Sequence, residues 1–172
     1  PVPTNDLALD GLGRRLTAWG VPQDGAQLVD GSGLSRRNAL SADTLVTVLA
    51  RMHDPSGRAP FVAALPVAGV DGSLAGRFKG TAAEGRVRAK TGTMSNIRTL
   101  AGYVTTADGE QMALVVMVNN FEGTGAQARV KDLVVYASGD RKAFAKAEPV
   151  LPGFSRASYY LGEFGNGSRM KF

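Results

Sequence analysis

Lys90, Thr91 and Gly92 stand in a row, and Thr93 follows them. A serine enzyme that cleaves a peptide beside its terminal carboxylate needs three things of such a strand. A lysine ammonium stabilises negative charge near the nucleophile and the carboxylate. A threonine hydroxyl donates a hydrogen bond to that carboxylate. A glycine, having no Cβ, lets the peptide backbone lie close along the strand edge. The N–H of the next residue, here Thr93, then serves as an oxyanion donor. The plain alternative is a strand that ends on glycine beside a solvated lysine, and the triplet alone leaves both readings open.

The rest of the composition narrows the chemistry. The 172 residues contain no Cys, which excludes cysteine nucleophiles, disulfides, zinc ribbons and iron–sulfur clusters. His53 is the single histidine, so a multi-histidine metal site is excluded and any Ser-His-Asp triad would depend on it. Its place after an apolar helix face reads as a C-terminal cap rather than a base. No apolar run approaches the ~20 residues that span a bilayer, and no signal-peptide pattern opens the chain. The start at Pro1 rather than Met reads as a processing site or a cut end. The net charge of +5 is mild. Arg86, Arg88, Lys90 and Arg98 lie in a stretch, 85–107, that holds no acid. Aromatic residues do not interleave with them before Tyr103, so a local carboxylate or phosphate fits better than a nucleic-acid track.

The elements that must position these residues follow from periodicity. Leu9, Leu12, Leu16 and Trp19 mark a helix with Asp6 as its cap and Gly20 as its stop, and Trp19 reads as core. Residues 26–30 read as a short strand, and 30–38 as a polar loop. Ser41 caps a second helix with Leu45, Val48, Leu49 and Met52 on one face. A short apolar piece spans 61–65, and 69–85 is Gly-rich and irregular, with Asp71-Gly72-Ser73 reading as a turn near the cleft rather than a site. Residues 86–91 alternate as a strand with one cationic face. A second strand covers 98–106, Asp108-Gly109 turns the chain, and 111–119, apolar on both faces, reads as a central covered strand. Ala126, Val130, Leu133, Val134 and Ala137 mark an amphipathic helix closed by Gly139. Beyond it the chain is weakly patterned, and Tyr159-Tyr160 reads as a packed end. The fold class expected is α+β.

Four blocks, DGSGLSRRN (30–38), LPVAGVDGSL (65–74), GT…GRVRAKTGTMS (80–95) and LAGYVTTADGEQMALVVMVNN (100–120), give a more specific reading. In this order they resemble the C-terminal part of the penicillin-binding protein 4 type D-alanyl-D-alanine carboxypeptidases, the S13 serine peptidases, over roughly 7–138. The resemblance implies an antiparallel five-stranded sheet flanked by helices, the transpeptidase-like fold. It implies a serine that attacks the D-Ala-D-Ala bond of peptidoglycan stem peptides, forms an acyl-enzyme and is released by water, with no metal or organic cofactor. β-Lactams would acylate the same serine. Lys90, Thr91 and Gly92 would be the third catalytic element, with Thr93 completing the oxyanion hole. Met94 and Ser95 would line the substrate pocket. Arg36 is a weaker candidate for gripping a substrate carboxylate, against its reading as an ordinary loop arginine.

The family's Ser-x-x-Lys and Ser-x-Asn motifs would lie upstream of Pro1. No Ser-x-Asn occurs in the 172 residues. One Ser-x-x-Lys does, at Ser168–Lys171, and it reads as coincidence because nothing follows to extend a helix. The expectation is therefore a C-terminal portion of the penicillin-binding domain (1–139) followed by a tail (140–172). Its nucleophile would come from the N-terminal part of the same protein as a separate chain. Action outside the cytoplasm, in the periplasm or cell envelope and peripheral to the membrane, follows from the substrate. The competing reading is a non-catalytic penicillin-recognition module that binds wall peptide or a partner protein. A basic nucleic-acid-binding domain ranks third.

Overall fold

The computed structural model describes residues 4–21, 23, 26–53, 59–119, 134–153 and 155–163. Helix α1 runs Asn5–Ala18, α2 Ala42–Met52 and α3 Ala59–Ala63. Strands β1 (Val87–Met94), β2 (Ile97–Thr105) and β3 (Gln111–Asn119) form an antiparallel sheet in the order β1-β2-β3. Strand β4 (Val134–Ala137), helix α4 (Arg141–Ala147), a 3-10 segment (Glu148–Gly153) and β5 (Ala157–Tyr160) follow. The architecture is α+β, an antiparallel sheet flanked by helices.

The N-caps of α1 and α2 are hydroxyls. Ser41 accepts the Thr44 N–H at 3.0 Å and starts α2. Thr4, not Asp6, starts α1 by accepting the Leu7 N–H. Asp6 already has helical geometry, so its charge sits in the first turn and favours the helix dipole instead. His53 is the C-cap of α2, and its ring also reaches Gln111 Oε1 at 2.6 Å on β3.

The sheet is apolar on both faces because alternate residues point to opposite sides. Leu100, Val104, Met112, Leu114 and Val116 join a core with Ala68, Leu74, Phe78, Val87, Ala89, Val135, Val150 and Leu151. Ala101, Tyr103, Ala113 and Val115 pack on the other face against Leu49, Phe61, Val62 and Leu65. The Tyr103 hydroxyl donates to the Leu49 carbonyl at 2.7 Å, which fastens α2 to β2, and burial pushes the phenol pKa up.

Several expectations change. Among the described residues the central strand is β2, not β3. Strand β3 is nonetheless covered on both faces, and that coverage is what its unbroken apolar run reports. The segment 26–30 forms only a bridge, Gln27 with Ala39. Residues 134–137 are a strand rather than the end of a helix, because they pair in parallel with 157–160. Most of the expected 126–137 helix lies outside the described residues, as does Ser168–Lys171. The described residues form three antiparallel strands and this separate parallel pair. Where it is described, at 140–153 and 155–163, the weakly patterned stretch after Gly139 is structured. Val150 and Leu151 are buried in the main core. Tyr160 packs on Phe144 with ring centroids 5.4 Å apart, and its hydroxyl donates to the Gly139 carbonyl at 2.6 Å. Trp19 is half-buried, with Arg15 over its ring.

Candidate functional site

Strand β1 carries the site. It runs to Met94, three residues beyond the expected end, and turns tightly through Ser95 and Asn96 into β2, with Met94 opposite Ile97. Asn96 takes a left-handed φ of 59°, a conformation asparagine tolerates. The Arg98 guanidinium donates to the carbonyls of Met94 and Ile97, at 2.6 and 2.8 Å, and braces this turn. Arg98 therefore lies on the opposite face of the sheet from Arg88 and Lys90, and Arg86 stands in the turn before β1.

The backbone of β1 alternates between its two edges. The Val87 carbonyl accepts from Ala68 N–H at 2.8 Å, and Ala89 N–H donates to the Pro66 carbonyl at 2.9 Å. Both groups point away from β2. Alternation then turns the N–H and C=O of Thr91 and Thr93 to that same outer edge. No strand among the described residues covers the edge there. The Lys90 ammonium reaches the Thr91 carbonyl on this edge. The candidate site is thus a strand left half-open among the described residues, with the Thr93 N–H on its outer edge, a lysine ammonium on one face and two threonine hydroxyls on the other.

Gly92 lies opposite Thr99, whose Oγ1 would sit 2.3 Å from a Cβ at this position. Any side chain at Gly92 must push the Thr99 hydroxyl aside, so the neighbour on β2 explains the glycine without reference to a ligand. Met94 is half-buried and Ser95 exposed at the turn.

Arg36 is exposed on the turn 35–38. Its loop is closed on itself by Asn38. The Asn38 Oδ1 accepts the Val29 N–H at 2.7 Å, and its Nδ2 donates to Asp30 Oδ1 at 3.0 Å. The Asn38 amide beside Asp30 holds that carboxyl below the usual carboxylate range.

One residue that the sequence read only as part of a nearby turn meets the strand. The Thr91 hydroxyl donates to Ser73 Oγ at 3.0 Å. A turn 18 residues upstream therefore meets the lysine-threonine-glycine strand, and hydroxyl pairs of that kind leave no periodic trace in a sequence.

A model of the D-Ala-D-Ala carboxypeptidase 3 (S13) family matches residues 2–139. The chain belongs to this family. Over 136 residues it is 43% identical to a D-alanyl-D-alanine carboxypeptidase of Actinomadura sp. strain R39, covering 76% of this chain and 25% of that protein. It is 40% identical over 120 residues to carboxypeptidase DacB of Mycolicibacterium smegmatis, covering 66% of this chain and 26% of the relative. The chain thus spans about a quarter of the length of these curated relatives. Its fold superimposes on penicillin binding protein 4 of Haemophilus influenzae, crystallised with a β-lactam. The TM-score is 0.64 at 28% identity, over 87% of this chain and 31% of that structure. The α+β fold is therefore that of the S13 penicillin-binding proteins.

Proposed function

We propose that this chain supplies the Lys-Thr-Gly strand of a D-alanyl-D-alanine carboxypeptidase, with endopeptidase action on the same peptidoglycan stem peptides. Reaction proceeds through a serine acyl-enzyme. The observation that carries the reading is the half-open strand, where the Thr93 N–H and the hydroxyls of Thr91 and Thr93 meet the Lys90 ammonium at one uncovered edge.

The roles follow from that geometry. A peptide ending in a carboxylate lies along the outer edge of 91–93, as an added strand would. The Thr93 N–H donates to the carbonyl oxygen as it gains charge, a stabilisation realised most fully in the transition state. The Thr91 hydroxyl holds the terminal carboxylate. Lys90 supplies positive charge beside both. Met94 and Ser95, at the end of the strand, bound the side-chain pocket, and Arg36 is the weaker candidate for a second carboxylate grip. The nucleophile comes from sequence outside these 172 residues, in the N-terminal part of the protein, carried as a separate chain. In this reading residues 1–139 are the penicillin-binding portion and 140–172 a C-terminal extension of it. The substrate places the protein outside the cytoplasm, at the periplasm or cell envelope. No described helix is long and apolar enough to cross a membrane, and the proposed association with the membrane is peripheral.

Labelling with a fluorescent penicillin, read on a denaturing gel, tests the reading. Label is expected on a chain that co-purifies with this one. In the assembled protein, Lys90→Ala is expected to slow labelling by about a hundredfold, the scale of removing one preorganised charge-stabilising group. An unchanged labelling rate removes Lys90 from the mechanism. No label on any chain favours the non-catalytic recognition module.

A further inference from the structure

We propose that Ser73 is a positioning residue for Thr91, setting which way the threonine hydroxyl donates when a carboxylate binds. The inference rests on the carboxypeptidase reading above and adds a residue to it.

Ser73 is exposed, yet the turn that carries it is tightly held. Leu74 beside it is fully buried in the core. The Asp71 carboxylate accepts the Val67 N–H at 2.7 Å, and Gly69 N–H donates to the Leu74 carbonyl at 3.0 Å. Gly72 adopts a left-handed φ of 51°, and a Cβ there would lie 2.9 Å from Pro66 Cγ. Residues 66–68 are in turn bonded to β1 through Val87 and Ala89. The turn is therefore clipped to the same strand whose hydroxyl it meets. Ser73 Oγ is presented to Thr91 Oγ1 by a rigid backbone, not by chance contact of two mobile side chains.

The bond as it stands points the wrong way for binding an anion. Thr91 donates its only hydroxyl proton to Ser73. A carboxylate offers acceptors alone, so Thr91 must turn that proton toward it. Its Oγ1 then becomes an acceptor facing Ser73, and the Ser73 O–H rotates to fill it. Both hydroxyls rotate and no proton changes owner. Ser73 thereby holds the Thr91 rotamer in both states, and a hydroxyl that accepts a bond is a stronger donor. Ser73 itself does not touch the substrate.

The test compares acylation of the assembled full-length protein by a penicillin bearing its free carboxylate and by the methyl ester of that compound. Ser73→Ala is expected to slow the free acid about threefold to tenfold, the scale of one hydrogen bond, and to leave the ester rate unchanged. Ser73→Thr, which keeps the hydroxyl, restores the acid rate. In a Thr91→Val background Ser73→Ala has no further effect on the acid, since the partner is gone. Equal slowing of acid and ester, no slowing of either, or additive losses in the double variant each overturn the role while leaving the carboxypeptidase reading intact. A wild type that neither compound acylates overturns both.

Discussion

Strand β1 is held differently along its length. From Val87 to Ala89 it is bonded on both edges, to β2 on one side and to residues 66–68 on the other. Val87 and Ala89 are wholly buried. From Lys90 to Met94 only the β2 edge is occupied among the described residues, and Lys90 and Thr93 are exposed. One continuous strand therefore serves as core in its first half and as an edge open among the described residues in its second. The first half fixes direction and register, and the second inherits both with no strand among the described residues over its outer edge. An uncovered edge is a liability for aggregation, and here the closed half limits it to a few residues.

Two glycines probe the contrast. Gly102 pairs with Ala89 in the closed half, and a Cβ on it would lie 2.0 Å from the Arg88 carbonyl oxygen and 2.6 Å from Ala89 Cα. Those are backbone atoms of a strand fixed on both edges, so they cannot yield. Gly102→Ala should give the largest effect, a loss of more than about 3 kcal/mol in urea unfolding. A loss below about 1 kcal/mol would mean that the closed half is not rigid. At Gly92 the obstacle is a side-chain hydroxyl, Thr99 Oγ1, which can rotate. Gly92→Ala should cost about 1–2 kcal/mol, and Thr99→Ala in the same chain should return about half of that. Strict additivity of the two substitutions would show that Thr99 is not the obstacle.

The smallest effect lies at the far end of the β2–β3 hairpin. Lys146 on α4 bonds Asp108 at 3.0 Å and Glu110 at 2.6 Å, tying the stretch after Gly139 to the sheet through exposed charges. Lys146→Ala should lower the melting temperature slightly at low salt and not at all near 1 M salt, where such pairs are screened. The Thr106 hydroxyl and then the Lys146 ammonium hold the Asp108 carboxyl below its ordinary range, as Asn38 does for Asp30. Both are depressed values. The stability they confer is present above the ordinary aspartate range and is lost as pH falls through the lowered values, from about pH 4 downward. In amide exchange, acid should loosen the loop 30–38 and the α4 contact before it touches β1. Simultaneous loss of protection across β1 would contradict the contrast between its halves.

Where bonding is local, the sequence was readable. Ser41 one residue before an apolar helix, alternation across Arg86–Thr91, and Asp108-Gly109 between two strands each report a local geometry, and each stands as expected. The lysine-threonine-glycine strand was legible for the same reason. What was hidden depends on partners distant in the chain. Val134–Ala137 is apolar and short enough to fit either period, and only its pairing with Ala157–Tyr160 makes it a strand. Strand β3 reads as central because both its faces are covered, but coverage of faces says nothing of which strands occupy the edges. Ser73 read as part of a turn near the cleft, and the hydroxyl it meets across 18 residues left no sign in the sequence.

Val150 and Leu151 fill the face of the sheet that Ala68, Leu74 and Val87 began. On the ribosome, where synthesis runs from the N-terminus, that face stays bare until some eighty residues after Ala68 have been made. A nascent chain that has passed Ala68 therefore carries an unsealed apolar surface until Val150 and Leu151 emerge. Compaction is timed by residues far from strand β1, so a ribosome that stalls near Gly139 leaves that face of the sheet without Val150 and Leu151.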